Sequence, residues 1–216
     1  EILDSGVIGR VLSISMQENI GYWHFAHSFV RGNWGNMEET GPMILTKCCH
    51  DMDMASWLAD SRVESVASFG KLALFREENA PEGAPPRCLD GCPVEDNCPF
   101  YAPAFYLTEY VEWPVKVISL DTSVEARRRA LEEGPYGRCV YRCDNDTPDE
   151  QAVIAHFENG VILDFTGRAH SCEPYRTVRI LGTEGELYGH FERNEIKVRC
   201  FGQGHGTEEK TQVIDV

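Results

Sequence analysis

The chain has 216 residues, and 42% of them are hydrophobic, so it is long enough to bury a substantial core. Its formal net charge of -15 and its pI near 4.8 argue against binding to nucleic acid or to an anionic membrane surface, because both need clustered lysine and arginine. No apolar run reaches the length of a transmembrane helix, and the first residues do not read as a signal peptide.

The chain has nine cysteines, an odd number, and Cys48 and Cys49 are adjacent in a helix-like stretch. A disulfide framework favours an even number of spaced cysteines on the loops of a short secreted chain. The pattern therefore predicts mostly free thiols in a reducing compartment, and we expect a cytoplasmic protein.

The first six residues, "EILDSG", read as the end of a helix that stops at Gly6. Because the beginning of that helix is missing, we expect the chain to be a fragment of a longer protein. We predict a single domain over residues 1–216.

The first third of the chain predicts two strands with a helix between them. Residues 10–20, "RVLSISMQENI", alternate in polarity and are rich in β-formers, which indicates a strand. The aromatic and glycine-rich residues 21–42 are typical of a binding loop. Residues 43–60 predict a helix, and residues 62–75 predict a second strand with good β-propensity.

The middle of the chain is harder to interpret. Residues 76–114 are dense in proline and glycine and predict mostly loop. A loop this long in a compact domain is usually functional, held by a metal, or disordered. Residues 123–134 predict a short helix with Ser123 as its N-cap and Gly134 as its stop.

The last third is a series of strands. Two strands flank Asn159-Gly160, two more flank 182–185, and residues 195–201 add another. Successive hairpins form an antiparallel sheet, so the fold class is α+β, with the helices on one face of a large, mostly antiparallel sheet. The runs 161–167 and 177–185 carry apolar side chains on both faces, which predicts a homodimer or higher homo-oligomer through the sheet.

The stretch 43–58, "MILTKCCHDMDMASWL", has the densest chemistry in the chain. On one continuous helix, Lys47 and His50 would lie one turn apart and form a proton-handling pair. An ordinary core helix with a solvated edge is the alternative. A metal or redox site is disfavoured, because the side chains of Cys48 and Cys49 diverge on a helix and C-x-x-C spacing is missing.

This motif, read from Gly41 as "GPMILTKCCHDMDMASWL", resembles the second-domain motif of the Gfo/Idh/MocA family of NAD(P)-dependent oxidoreductases. His50, Asp51 and Asp53 match the end of the family pattern. The runs "GVIGRVLSI" and "ILGTEGELYG" resemble the first strand and a late hairpin of the same domain. The resemblance covers nearly the whole chain and implies a fold like the C-terminal domain of glyceraldehyde-3-phosphate dehydrogenase.

The chain departs from the family in two ways. The catalytic aspartate of the family would fall at Thr46, and Lys47 follows it. The family's Rossmann domain, whose E-K-P motif supplies a catalytic lysine, is not among these 216 residues. The glycine cluster "GQGHG" at 202–206 has no helix after it and is not a dinucleotide fingerprint. We therefore expect the cofactor, NAD or NADP, to be bound mainly by the missing domain.

The resemblance implies hydride exchange with a carbinol carbon of a sugar, a polyol or a related carbohydrate-like substrate. His50 is the expected acid–base, and Lys47 is expected to act on His50 by like charge or to bind a substrate oxygen. The expected substrate contacts, each equally readable as an ordinary loop residue, are Arg31, Trp34, Thr46, Asn145, Asp146 and Asp149.

Two further classes of function stay open. The chain could be a non-enzymatic binding module that keeps the fold, which Thr46 favours, or part of a lyase or glycosidase that recycles its NAD. The loop cysteines Cys88, Cys92 and Cys98 could hold a structural zinc if a fourth ligand such as Cys143 joined them. Free thiols or disulfide bonds are the alternatives for these three residues.

Overall fold

The computed structural model describes residues 1–203 and the backbone of residues 207–213. The chain forms two compact units with interleaved segments. The sheet unit comprises Glu1–Ile20, Lys47–Gly70 and Glu150–Val216, and the loop unit comprises Gly21–Thr46 and Lys71–Asp149.

The regular elements are short in the loop unit and long in the sheet unit. The strands are β1 (Val11–Gly21), β2 (Val63–Lys71), β3 (Glu150–Phe157), β4 (Ile162–Ser171), β5 (Tyr175–Gly182), β6 (Gly185–His190), β7 (Glu195–Phe201) and β8 (Thr207–Val213). The helices are α1 (Tyr22–Phe25), α2 (Met37–Thr40), α3 (Met43–Thr46), α4 (Cys49–Ala59), α5 (Ala102–Tyr106) and α6 (Val124–Glu133).

Within the described residues the strands form one eight-stranded sheet in the order β2-β3-β4-β1-β5-β6-β7-β8. Strand β1 pairs antiparallel with β5, and so do the neighbours β3–β4, β5–β6, β6–β7 and β7–β8. The predicted α+β class with a large, mostly antiparallel sheet is confirmed. Strand β8, beyond the last predicted strand, extends the sheet by one.

The hairpin predicted at Asn159-Gly160 joins β3 to β4. Gly160 has a φ of +86°, a conformation that a residue with a Cβ adopts only under strain. His156 faces Ile162 across the hairpin, and this register points alternate residues into the core. The buried members of the sheet core include Ile14, Met16, Val153, Leu163, Phe165, Val178, Ile180 and Leu187.

The helix predicted over 43–60 is wrong in one respect, because two helices replace it. Helix α3 ends at Thr46, and α4 begins at Cys49, whose N-cap Cys48 has φ and ψ of -91° and 8°. The end of α4 is as predicted: Asp60 takes the left-handed conformation, and the Asn159 amide donates to the Ala59 carbonyl at 2.8 Å.

The loop unit is built on a core of buried side chains from its irregular segments and from α5 and α6. Ser123 caps α6 as predicted, because its hydroxyl accepts from the Ala126 N–H at 3.3 Å. The predicted long loop 76–114 is mostly irregular, with one short helical turn at Glu77–Asn79 and α5. Its core residues are Cys88, Ala102, Tyr106, Val115, Leu131 and Tyr136.

Two smaller expectations concern the chain start and the membrane. The first residues form turns rather than a helix end, and Gly6 has a φ of +71°. Among the described residues, no helix combines the length and the apolar character that crossing a bilayer requires. Part of the glycine cluster at 202–206 lies outside the described residues.

Candidate functional site

A cluster of four charged side chains lies in the sheet unit where β1 and β5 meet the start of α4. Glu18 of β1 stands opposite Arg176 of β5 in the sheet register, and the carboxylate lies 2.6 Å from Arg176 Nε. Asp51, in the first turn of α4, accepts from the same Nε at 3.0 Å. Lys47 Nζ lies 3.2 Å from Glu18 Oε1. We refer to Glu18, Lys47, Asp51 and Arg176 as the charge cluster.

The carboxylates of the charge cluster are interior, and its cations reach the surface. The side chains of Glu18 and Asp51 are 4% and 1% exposed, whereas those of Lys47 and Arg176 are 22% and 26% exposed. The single Nε–H of Arg176 is directed at Asp51, so Glu18 Oε2 has a close cation but no directed hydrogen bond. The cluster has two charges of each sign, which is the condition for burying carboxylates.

Burial changes the pKa of Glu18 and of the neighbouring Cys48. The pKa of Glu18 is raised by desolvation, which outweighs the opposing effect of the Lys47 and Arg176 cations. Burial also raises the pKa of the neighbouring Cys48 thiol to about 12, and the Asp51 and Glu18 carboxylates add to the increase. Cys48 is therefore an inert buried thiol rather than a nucleophile.

His50 and Asp53 lie on the exposed side of α4, while Asp51 points inward. Because α4 begins after Lys47, the predicted helical pairing of Lys47 with His50 was wrong. Lys47 turns instead to Glu18 on β1. The two residues remain three positions apart, with Lys47 fixed by an ion pair and His50 exposed on the first turn of α4.

Three of the predicted substrate contacts reach the surface of the loop unit. Trp34 is 44% exposed. Asp146 is exposed and accepts from the Met37 N–H at 2.7 Å. The Thr46 hydroxyl is partly buried and donates to the Pro42 carbonyl at 3.3 Å, and this side chain supplies no charge.

The other three predicted contacts are interior. Arg31 is 3% exposed and donates to the carbonyls of Arg138 and Phe100, both at 2.7 Å. Asp149 is fully buried and accepts from the N–H groups of Ala73 and Leu74 at 2.6 and 2.7 Å. Asn145 is 8% exposed. The prediction of Arg31 and Asp149 as sugar contacts is corrected, because their polar atoms bind backbone groups inside the fold.

The cysteine loop holds thiols rather than a metal centre. All nine cysteines are free, including Cys88, Cys92, Cys98 and Cys143. Within the described part of the chain, no three Cys, His, Asp or Glu side chains come together closely enough to hold a metal ion. The predicted zinc site is therefore corrected. Arg31 joins the loop segments instead, through its bonds to the carbonyls of Arg138 and Phe100.

Sequence reasoning missed Glu18 and Arg176. A signal was present, because the alternation of β1 places Glu18 on the same face as Ile14 and Met16, the core face. A charged residue at such a position needs a partner of opposite sign. The partner itself was not predictable, since it depends on the pairing of β1 with β5, which are far apart in sequence.

Comparisons with known proteins identify the family of this chain. A sequence model described as the C-terminal alpha/beta domain of the Gfo/Idh/MocA oxidoreductase family matches residues 1–215. The chain belongs to this family. The predicted membership is thereby confirmed, and the full-length proteins of the family are oxidoreductases.

Among curated proteins, YteT of Bacillus subtilis (strain 168), whose name gives it as an oxidoreductase, is 23% identical over 194 residues. These residues are 87% of this chain and 43% of YteT. The chain thus spans less than half the length of this relative.

Solved structures show the same fold. A levoglucosan dehydrogenase in complex with NADH and levoglucosan matches with a TM-score of 0.57 at 18% identity, over 98% of this chain and 42% of that one. An NAD binding oxidoreductase from Klebsiella pneumoniae matches with a TM-score of 0.59 at 16% identity, over the same shares. The super-repressor mutant of Gal80p from Saccharomyces cerevisiae matches with a TM-score of 0.55 at 11% identity, over 99% and 42%.

Proposed function

We propose that this chain is the substrate-binding and oligomerisation half of an NAD(P)-dependent oxidoreductase that acts on a sugar, a polyol or a related carbinol. The charge cluster is the observation that carries the proposal. In this cluster the almost fully buried carboxylate of Glu18 holds Lys47, and Lys47 lies three residues before the exposed His50. The levoglucosan dehydrogenase match supports a carbohydrate-like substrate.

The residues that the structure describes do not form a nicotinamide dinucleotide site of the Rossmann type. Such a site needs a glycine-rich turn between a parallel strand and a helix, whereas β1, which leads into α1 through the single Gly21, pairs antiparallel with β5. The family's cofactor would supply hydride exchange from a domain outside this chain. The chain's own contribution is therefore to bind the carbinol and to move its hydroxyl proton.

His50 and Lys47 have separate parts in this proposal. The exposed His50 imidazole can accept a hydroxyl proton during oxidation or return it during reduction. A lysine ammonium has three N–H groups, so Lys47 can bind Glu18 and still donate to a substrate oxygen that develops negative charge. Glu18 keeps this donor in place. Because Thr46 is neutral, proton transfer falls to His50 and the binding of the substrate oxygen to Lys47, rather than to an aspartate at position 46.

The test uses the full-length protein, a panel of sugars and polyols, and both NAD and NADP. We expect net formation of reduced nicotinamide with at least one substrate. Lys47→Met should lower kcat/KM by about 10²-fold or more, as for a lost oxyanion donor. Glu173→Gln, at an exposed position in the loop after β4, is the matched control and should behave as wild type.

Two other functions have distinct outcomes in this experiment. A binding module would bind a sugar without forming reduced nicotinamide with any substrate. The Gal80p match and the neutral Thr46 favour this alternative. A lyase or glycosidase that recycles NAD would consume substrate without net reduction of the cofactor.

A further inference from the structure

Four cysteines of the loop unit line one small pocket together with the side chain of Arg31. They are Cys88, Cys92, Cys98 and Cys139. Cys88 is 7% exposed, and the other three are partly buried. They come from two segments of the chain, 88–98 and 139, so the fold and not the sequence spacing brings them together.

The backbone of these segments fixes the direction of two of the thiols. Arg87 and Arg138 form an antiparallel bridge, the Cys88 N–H donates to Gly137, and the Cys139 N–H donates to Pro86. Side chains alternate along each extended segment, so Cys88 and Cys139 point to the same side of the bridge. That side is the pocket.

Arg31 places a positive charge against these thiols. Its Nη2 lies 3.5 Å from Cys88 Sγ and also donates to Phe100. Among the described residues, the ion pairs do not include one between Arg31 and a carboxylate. A buried guanidinium with only neutral acceptors is costly, and a thiolate at Cys88 would neutralise it. An electropositive surrounding of this kind is what makes a cysteine reactive.

We propose that Cys88 and Cys98 form a peroxide-sensitive thiol pair, with Cys88 as the attacking thiolate and Cys98 as the resolving thiol. The Cys88 thiolate attacks one oxygen of a hydroperoxide and breaks the O–O bond; the leaving hydroxide or alkoxide takes a proton from solvent, so the products are a sulfenic acid and water or an alcohol. The Cys98 thiol then attacks the Cys88 sulfur and releases water. Each sulfur is oxidised by one electron, and the peroxide takes up both electrons.

We take Cys98 as the resolving residue because it lines the same pocket as Cys88 and lies on the same segment of the chain, 88–98. Burial raises the pKa of Cys98, with a further increase from the Cys88 and Cys92 sulfurs, in that order. Cys98 therefore stays protonated and does not compete with Cys88 for the peroxide. Tyr101 N–H donates to the Cys98 carbonyl at 3.1 Å, next to the Phe100 carbonyl that Arg31 holds.

The test treats the intact protein with equimolar hydrogen peroxide, blocks the remaining thiols by alkylation, and maps the peptides by mass spectrometry. Acidic residues between the cysteines, such as Asp90 and Glu95, allow cleavage between Cys88, Cys92 and Cys98. We expect a linked Cys88–Cys98 peptide. Closing this loop should raise Tm by about 5–10 °C.

Matched variants separate the pair from nonspecific oxidation. Cys98→Ser should abolish the linked peptide and leave Cys88 trapped as a sulfenic acid, whereas Cys172→Ser, at an exposed cysteine, should change neither result. A Cys88–Cys139 link, preferential oxidation of Cys172, or one zinc retained per purified chain would each overturn the proposal.

Discussion

His27 offers a test of how burial stabilises the loop unit. The imidazole is 3% exposed, stacks on Tyr136 with centroids 4.9 Å apart, and has Nδ1 2.7 Å from the Tyr106 hydroxyl. Burial, with a smaller effect from Arg31, lowers the pKa of His27 from 6.5 to about 4. The neutral ring is therefore the form that the native fold accepts.

The magnitude follows from this difference in pKa. Each unit corresponds to about 1.36 kcal/mol, so full protonation would remove about 3 kcal/mol of stability. The stabilisation is present above pH 6.5, the pKa of an unfolded histidine, and is lost as the pH falls from 6.5 towards 4. Between pH 7 and pH 4.5 the loss is about 2.5 kcal/mol, because the imidazole is then almost fully protonated only in the unfolded chain.

Urea denaturation at a series of pH values measures this directly. The free energy of unfolding of wild type should fall more steeply between pH 7 and pH 4.5 than that of His27→Gln. The difference in unfolding free energy between the two proteins should therefore change by about 2.5 kcal/mol over this range. His170→Gln, at an exposed position on β4, should keep the wild-type slope. Parallel curves for wild type and His27→Gln would refute the reasoning.

The other predictions concern the cofactor, the acid–base, the charge cluster and assembly. Calorimetry at millimolar ligand should detect no NAD(H) or NADP(H) binding by the 216-residue chain, and micromolar binding would contradict the missing-domain account. In the full-length enzyme, His50→Ala should lower kcat by about 10²–10⁴-fold with cofactor affinity nearly unchanged, and near-wild-type turnover would leave His50 a structural part only. Glu18→Ala should destabilise the fold by about 3 kcal/mol in denaturant titrations, because it leaves Lys47 without its buried partner and Arg176 with Asp51 alone, and a change below about 0.5 kcal/mol would contradict the cluster. Light scattering of the 216-residue chain at micromolar concentration should give the mass of a dimer, which we expect to form through the sheet. A strictly monomeric mass would show that other segments cover the outer face of the sheet.

The assembly prediction rests on a sheet face that is more mixed than the sequence indicated. Along β4 the outward side chains include the exposed Ile162, Asp164 and Arg168, and on β5 they include Arg179 and the 37% exposed Leu181. The runs 161–167 and 177–185 gave an impression of two apolar faces because neighbouring residues in them are hydrophobic. The structure resolves them into one buried face and one face with both charged and apolar side chains.

Local patterns predicted most of the secondary structure. The hairpin at Asn159-Gly160 and the Ser123 cap depend on residues within a few positions of each other, so short-range chemistry was sufficient. The break at Lys47 and Cys48 was not predictable from helical periodicity. The ion-pair partner of Lys47 is Glu18, which lies on β1, nearly thirty residues earlier in the chain.

The candidate site was only partly predictable for the same reason. His50 and Lys47 were found from residue type and motif, whereas Glu18 and Arg176 needed the register of β1 against β5. Arg31 and Asp149 were misjudged, since a charged residue on a loop reads as a ligand contact unless its buried backbone partners are known.

Transfer of deuterium is the most direct test of the central claim that this chain supplies the substrate half of a carbinol oxidoreductase. The full-length protein is incubated with NAD(P) and a sugar or polyol deuterated at its carbinol carbons, and the nicotinamide is analysed by mass spectrometry. The account predicts deuterium in the reduced nicotinamide with wild type and a large decrease in its rate with His50→Ala. Sugar binding without any deuterium transfer, across the panel and with both cofactors, would contradict it.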